Sequence, residues 1–129
     1  MTSSDADVER VRRACLELEG TTEKLAWGEP TFRAKGRLYA MYARGETHHG
    51  AGRNAVWCYA PPGAQQQLVA AAPERIFMPP YVGKSGWIGL WLDAVSDDEL
   101  AVHLYQAYDA MGSQGGASNS RRRRKSDKI

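Results

Sequence analysis

The sequence of 129 residues is poor in the residue types that usually mark reactive or metal-binding centres, with only two cysteines and three histidines. Cys15 and Cys58 do not form a C-x-x-C pair, and the adjacent His48 and His49 lack the helical spacing of an H-E-x-x-H motif. This pattern argues against a disulfide framework and a zinc site, and predicts two reduced core thiols in a cytoplasmic protein. No apolar run approaches the length needed to cross a bilayer, so we expect no membrane partner.

Two glycine-containing segments match nucleotide-binding motifs only in part. Gly83-Lys84-Ser85 resembles the end of a P-loop, but Met78 stands where the first glycine belongs, and a strand-like run follows instead of a helix. The segment GAGRNA at 50–55 has the spacing of a dinucleotide fingerprint, yet it also precedes a strand-like run and lies in no β-α-β unit. Ser85 has no nucleophile elbow. We therefore expect neither an enzyme nor a cofactor.

The basic residues are unevenly distributed along the chain. Residues 121–129 hold six of the seventeen Lys and Arg residues against one Asp, which leaves eleven basic and fourteen acidic residues in 1–120. The tail RRRRKSDKI follows a segment rich in Gly, Ser and Asn. Because residues 113–129 have almost no aliphatic side chains to bury, we predict a disordered basic tail behind a single domain at 1–112.

Hydrophobic periodicity predicts an α+β protein with an antiparallel sheet and helices packed on it, in the order α-β-β-β-α-β-β-α. Ser96 to Glu99 is a capping box at the start of the last helix, and Lys35-Gly36 is a turn signal between two strands. The predicted helices are residues 5–19, 65–72 and 96–112, and the predicted strands lie within 31–43, which holds two, 54–60, 75–78 and 87–92.

Three separated segments resemble the MmcQ/YjbR-like family of small bacterial proteins. They are WGEPTFRAKGRLYAMY at 27–42, PPYVGKSGWIGLWLD at 79–93 and LYQAYDAM at 104–111, and the resemblance extends over residues 8–111. The resemblance implies a fold like that of the type III secretion chaperones, in a domain often described as a double-wing DNA-binding module. It carries over no catalytic residues. The glycine-rich insert RGETHHGAGRN and the arginine tail depart from the family pattern.

The basic residues suggest a nucleic-acid-binding protein whose partner is DNA, bound with low specificity. Arg33, Lys35 and Arg37 lie at the tip of the first predicted hairpin, as contact with a phosphate backbone requires. Arg44 and Arg53 flank the next connection, which in a meander lies at the other end of the sheet, so we expect one basic hairpin per monomer. Solvated surface charge is the alternative interpretation of the hairpin. The remaining candidates for DNA contact are Lys84, Arg121, Arg122, Arg123, Arg124 and Lys125.

A second hypothesis is a binding protein for a small planar ligand or a peptide. Alternation in the strand 87–92 places Trp87, Gly89 and Trp91 on one face and three aliphatic side chains on the other. Together with Tyr81, the two tryptophans can form a flat aromatic surface on which a planar group stacks. The alternative is that the final helix covers these rings and that they belong to the core.

Overall fold

The computed structural model describes residues 3–45 and 52–115. Within them lie three α-helices, six β-strands and one 3₁₀ helix. The helices are α1 (Ser3–Leu16), α2 (Ala64–Ala71) and α3 (Asp97–Gly115), and the 3₁₀ helix is Val82–Ser85. The strands are β1 (Thr21–Ala26), β2 (Glu29–Ala34), β3 (Arg37–Ala43), β4 (Ala55–Cys58), β5 (Ile76–Phe77) and β6 (Ile88–Trp91). No helix in this part of the chain is long and apolar enough to span a membrane.

All six strands form one antiparallel sheet with the order β1-β2-β3-β4-β6-β5. The predicted α+β class, an antiparallel sheet with helices packed on it, is confirmed. The sheet has one strand more than the predicted order, because β1 lies between the first predicted helix and the first predicted strands, where the sequence predicts no strand. β1 is an edge strand whose side chains are mostly exposed, so its sequence lacks the alternation of a half-buried strand.

Two tight turns join the first three strands. Trp27 and Gly28 have φ values of 55° and 79°, and Lys35 and Gly36 have φ values of 54° and 77°. Positive φ at both central residues matches the right-handed twist of the strands that a hairpin joins. The second turn lies where the sequence predicts it. Because the two turns stand at the two ends of β2, they lie at opposite ends of the sheet.

A bulge at Tyr39 directs that side chain into the core beneath the helices. Phe32 pairs with Ala40 and Arg33 with Leu38, so Tyr39 is an extra residue on β3. The Tyr39 hydroxyl lies 2.8 Å from the Thr21 hydroxyl, and burial raises the pKa of the phenol above its usual range. On this helix-covered face, the buried apolar side chains of α1 and α3 pack against those of the sheet.

The other face of the sheet, here called the second face, has its own buried cluster. Its buried members are Met41, Ala43, Ala55, Trp57 and Trp87. Phe77 on β5 pairs with Gly89 on β6, and its ring lies flat over that glycine. The absence of a Cβ at Gly89 is therefore what lets the Phe77 ring reach this face.

Helix α3 begins as the capping box predicts, since the Ser96 hydroxyl accepts a hydrogen bond of 3.1 Å from the Glu99 amide. The predicted end of this helix at Gly112 is wrong, because α3 extends to Gly115. The side chain of Met111 packs against both buried clusters and holds this last part of the helix against the sheet. A single exposed glycine lowers helix propensity by only about 1 kcal/mol, so such packing can override it.

Replacing Gly89 with alanine is expected to destabilise the protein by about 1–3 kcal/mol, because the new methyl group must displace a packed ring. A Cβ at this position would lie 2.2 Å from Cζ of Phe77. Urea unfolding followed by tryptophan fluorescence measures the change.

The matched control is Gly112→Ala, since a Cβ at Gly112 meets no heavy atom within 4 Å and this glycine lies in α3. The control is expected to be neutral or stabilising by up to about 1 kcal/mol. Equal unfolding free energies for the two variants would contradict the packing described for Phe77.

Candidate nucleic-acid interface

The turn between β2 and β3 marks one end of the sheet, here called the hairpin end. Ala40 pairs with Cys58, and Cys58 pairs with Ile88. Residues 35–39 and 84–87 therefore extend beyond the paired strands at the same end, the hairpin end. The Leu38 and Val82 side chains pack against the same buried cluster on the second face. The fold thus brings two segments that are distant in sequence to one end of the sheet.

Three of the predicted basic residues belong to the hairpin itself. Lys35 and Arg37 are exposed on either side of Gly36. Arg33 pairs with Leu38 and therefore lies on the second face, where its side chain is half-buried. Its Nε atom is buried and has no hydrogen-bond partner among the described residues. A buried guanidinium N–H without an acceptor is unfavourable.

Lys84, a candidate for DNA contact from a different segment of the sequence, also lies at the hairpin end. It is exposed on the 3₁₀ helix, which a side chain of α2 holds in place. Gln65 donates hydrogen bonds of 2.6 Å to the Gly83 carbonyl and 2.7 Å to the Trp87 carbonyl. The structure therefore places Lys84 at the same end of the sheet as Lys35 and Arg37.

At the opposite end, the two cations beside the β3–β4 connection are neutralised. Arg53 donates to Asp93 with N–O distances of 2.6 and 3.1 Å, and its guanidinium carbon lies 4.4 Å from the ring centroid of Trp91. The hydrogen bond to Arg53 also lowers the pKa of Asp93. Arg44 lies 3.3 Å from Glu29, a carboxylate with a relative exposure of 2%. Neither arginine is positioned as an uncompensated charge.

The described cations thus fall into two groups. Arg10, Arg12, Arg44, Arg53 and Arg75 all form ion pairs with carboxylates. The described cations that form no ion pair with a described carboxylate are Arg13, Lys24, Arg33, Lys35, Arg37 and Lys84. Four of these six, Arg33, Lys35, Arg37 and Lys84, are candidates for DNA contact from the sequence, and all four lie at the hairpin end.

The predicted aromatic surface does not form as expected. Trp87 has a relative exposure of 6% and meets Tyr59 edge-on, with ring centroids 6.3 Å apart. Trp91 is stacked against Phe77 at 4.1 Å, in addition to its contact with Arg53. These neighbours cover the two rings. The buried residues of α3 lie on the other face of the sheet, although its partly buried Met111 also packs against the cluster that contains Trp87. Of the three predicted residues, only Tyr81 exposes its ring, with a relative exposure of 71%.

The predicted basic tail, including Arg121 to Lys125, lies outside the described residues, and so do His48 and His49. The helix that precedes the tail, α3, is described to Gly115. Tyr108 contacts Tyr39 edge-on at 5.6 Å and donates to the Glu19 carbonyl, both close to the residue that opens β1. Because Thr21 pairs with Ala34, this part of α3 lies towards the hairpin end.

Two cysteines and a histidine of the described residues also have shifted pKa values. Burial raises the pKa of Cys15 to about 12 and also raises that of Cys58, so both thiols stay protonated. His103 has its pKa lowered, chiefly by burial, although Glu99 opposes the shift. Within residues 3–45 and 52–115, no group of three His, Cys, Asp or Glu side chains is placed to hold a metal ion.

Comparison with known proteins gives a family and related folds. The family model described as YjbR matches residues 16–110. No curated protein matches the chain. The Deinococcus radiodurans protein DR2400, described as a DUF419 domain, has 23% identity and a TM-score of 0.70, with coverage of 84% of this chain and 80% of its own. A Pseudomonas syringae protein has 15% identity and a TM-score of 0.57, with coverage of 84% and 97%. Both likenesses show a shared fold.

Removing Arg44 is expected to destabilise the protein more than removing Arg37. Arg44→Gln takes a cation away from the buried carboxylate of Glu29, at an expected cost of about 1–3 kcal/mol. Arg37→Gln changes an exposed side chain with no ion pair to a described carboxylate and should stay within about 0.5 kcal/mol of the parent. Denaturant unfolding at neutral pH measures both, and equal losses would contradict the division of the cations into two groups.

Replacing His103 with glutamine is expected to make stability less dependent on pH. Since the native pKa of His103 is lowered from 6.5, the unfolded chain binds this proton more readily, so the contribution to stability is lost as pH falls below about 6.5. Glu99 and Arg75 are the charged groups that act on His103 in the parent, and both remain in the variant. The free energy of unfolding, measured between neutral pH and about pH 5.5, should fall less steeply in the variant. An unchanged slope would contradict the assignment.

Proposed function

The chain belongs to the YjbR family, and we propose that it is a non-enzymatic protein that associates with DNA through the hairpin end of its sheet. The observation that carries the proposal is the grouping of Arg33, Lys35, Arg37 and Lys84, which form no ion pair with a described carboxylate. Cations at the opposite end of the sheet are neutralised by Glu29 and Asp93.

Phosphate contact is the chemistry that this arrangement suits best. A compensated arginine must give up its carboxylate before it can bind a phosphate, whereas the hairpin cations have no such bond to break among the described residues. The two exposed residues Lys35 and Arg37 project from a tight turn, a shape that can approach a groove or a backbone. Phosphate contacts orient a protein without reading sequence, so the expected affinity has low specificity.

The basic tail adds to the same surface in this proposal. Arg121 is six residues and Arg124 nine residues beyond Gly115, the last residue of α3, so they can lie no farther than about 22 and about 32 Å from the end of that helix. That helix leaves the core towards the hairpin end. Tail and hairpin can therefore contact neighbouring phosphates on one DNA molecule, and their contributions to counterion release would add.

Removing two hairpin cations is expected to weaken duplex binding and reduce its salt dependence. For Lys35→Gln/Arg37→Gln, the slope of log affinity against log salt should shrink in magnitude by about 1.8, because each phosphate contact contributes about 0.9. Replacing Arg121 to Lys125 by glutamine should shrink it by about 4.5. Fluorescence anisotropy of labelled duplex between about 50 and 200 mM salt gives both slopes.

The matched control is Arg13→Gln/Lys24→Gln, which also removes two cations that form no ion pair with a described carboxylate, on α1 and β1. Its slope should remain near that of the parent. Equal losses in the two double variants would show attraction by net charge rather than contact at the hairpin end. Failure of the full chain to retard duplex at about 50 mM salt would overturn the proposal.

A further inference from the structure

The exposed ring of Tyr81 is held in an unusual backbone conformation. Tyr81 has φ 65° and ψ −68°, and the Val82 amide donates a hydrogen bond of 2.6 Å to the Pro80 carbonyl. These values define a γ-turn of the rare, strained form, which residues with a Cβ seldom adopt. Such strain persists only where the surrounding structure enforces it, and it is concentrated at binding and catalytic sites.

The residues around Tyr81 enforce this conformation from both sides. Pro79, two residues before it, is buried. Gly83, two residues after it, is also buried, and a Cβ there would lie 2.6 Å from Cγ of Met78. Gln65 holds the Gly83 carbonyl from α2. The backbone is thus anchored on each side of Tyr81, which itself has a relative exposure of 71%.

The fixed ring lies beside the proposed DNA-contacting cations. Tyr81 is the residue that precedes the 3₁₀ helix, and Lys84 lies three positions later. Tyr81 and Lys84 are both exposed, so the ring and the ammonium group belong to one short exposed segment. Val82 and Leu38 pack against one buried cluster, which brings the hairpin alongside. An aromatic platform and several cations therefore share one end of the sheet.

We propose that Tyr81 stacks on an unpaired base while Lys84 and the hairpin cations contact the adjoining phosphates, so that the preferred ligand is single-stranded DNA. This inference rests on the proposed function and specifies its ligand. In a duplex the faces of the bases are already stacked on each other, so a rigid ring cannot cover one without disrupting the helix. A single strand offers free base faces, and aromatic rings beside a basic groove are the usual means of binding it.

Affinity for oligothymidine, compared with a duplex of the same length, tests the proposal in the full chain. Tyr81→Ala should weaken binding to the single strand by about tenfold, the usual contribution of one stacked base, and change duplex binding by less than about twofold. Tyr81→Phe should retain the single-strand affinity, because stacking needs the ring and not the hydroxyl. The control is Tyr105→Ala, which removes another exposed ring, with a relative exposure of 53%, from α3 and should change neither affinity.

A second variant separates binding from folding. Tyr81→Gly relieves the positive φ, so it should melt no lower than the parent and yet bind the single strand as weakly as Tyr81→Ala. Equal affinity of the parent and Tyr81→Ala for oligothymidine would overturn the stacking role, and so would a parent that prefers the duplex. In either case, salt-dependent duplex binding that is lost in Lys35→Gln/Arg37→Gln would leave the proposed function standing. Absence of binding to both nucleic acids would remove both proposals.

Discussion

The register of β2 against β3 is the constraint on which the placement of the charged residues depends. A shift by one residue would exchange the two faces of the sheet and bring Arg33 beneath the helices. Two features fix the register. The Lys35–Gly36 turn has the backbone geometry of a two-residue hairpin, and the bulge at Tyr39 commits that ring to the helix-covered core, where it meets Thr21 and Tyr108.

Charge compensation then divides the sheet into two unlike ends. Beside the β3–β4 connection, Glu29 and Asp93 lie within ion-pair distance of Arg44 and Arg53. An ion pair on the surface contributes little to stability. Glu29, however, is buried, and a buried carboxylate requires a partner. At the hairpin end no described carboxylate serves that purpose. A cluster of like charges there is unfavourable for the isolated protein, and a polyanion would relieve the repulsion.

The sequence predicts correctly those features of the fold that depend on neighbouring residues. The Lys35–Gly36 turn, the Ser96 cap and the two faces of β6 all follow from residues within one element. β1 could not be predicted in this way, because an exposed edge strand shows no alternation of apolar and polar residues. The Trp27-Gly28 pair, which forms the turn after β1, is the signal in the sequence that could have indicated this strand. The cover over Trp91 and the pairing of Arg53 with Asp93, 40 residues apart, arise from strand order, which the sequence pattern does not determine.

A tail of consecutive arginines and a rigid tyrosine would serve different steps of the proposed association. Electrostatic attraction acts over roughly a Debye length, about 8 Å at physiological ionic strength, and raises the rate of encounter with any polyanion. Stacking acts only at contact and is nearly independent of salt. Charge alone would not distinguish one nucleic acid from another. In the proposed complex, the ring of Tyr81 would supply a contact that depends on exposed bases. Selectivity would then come from this anchored turn, and the first attraction from the charges.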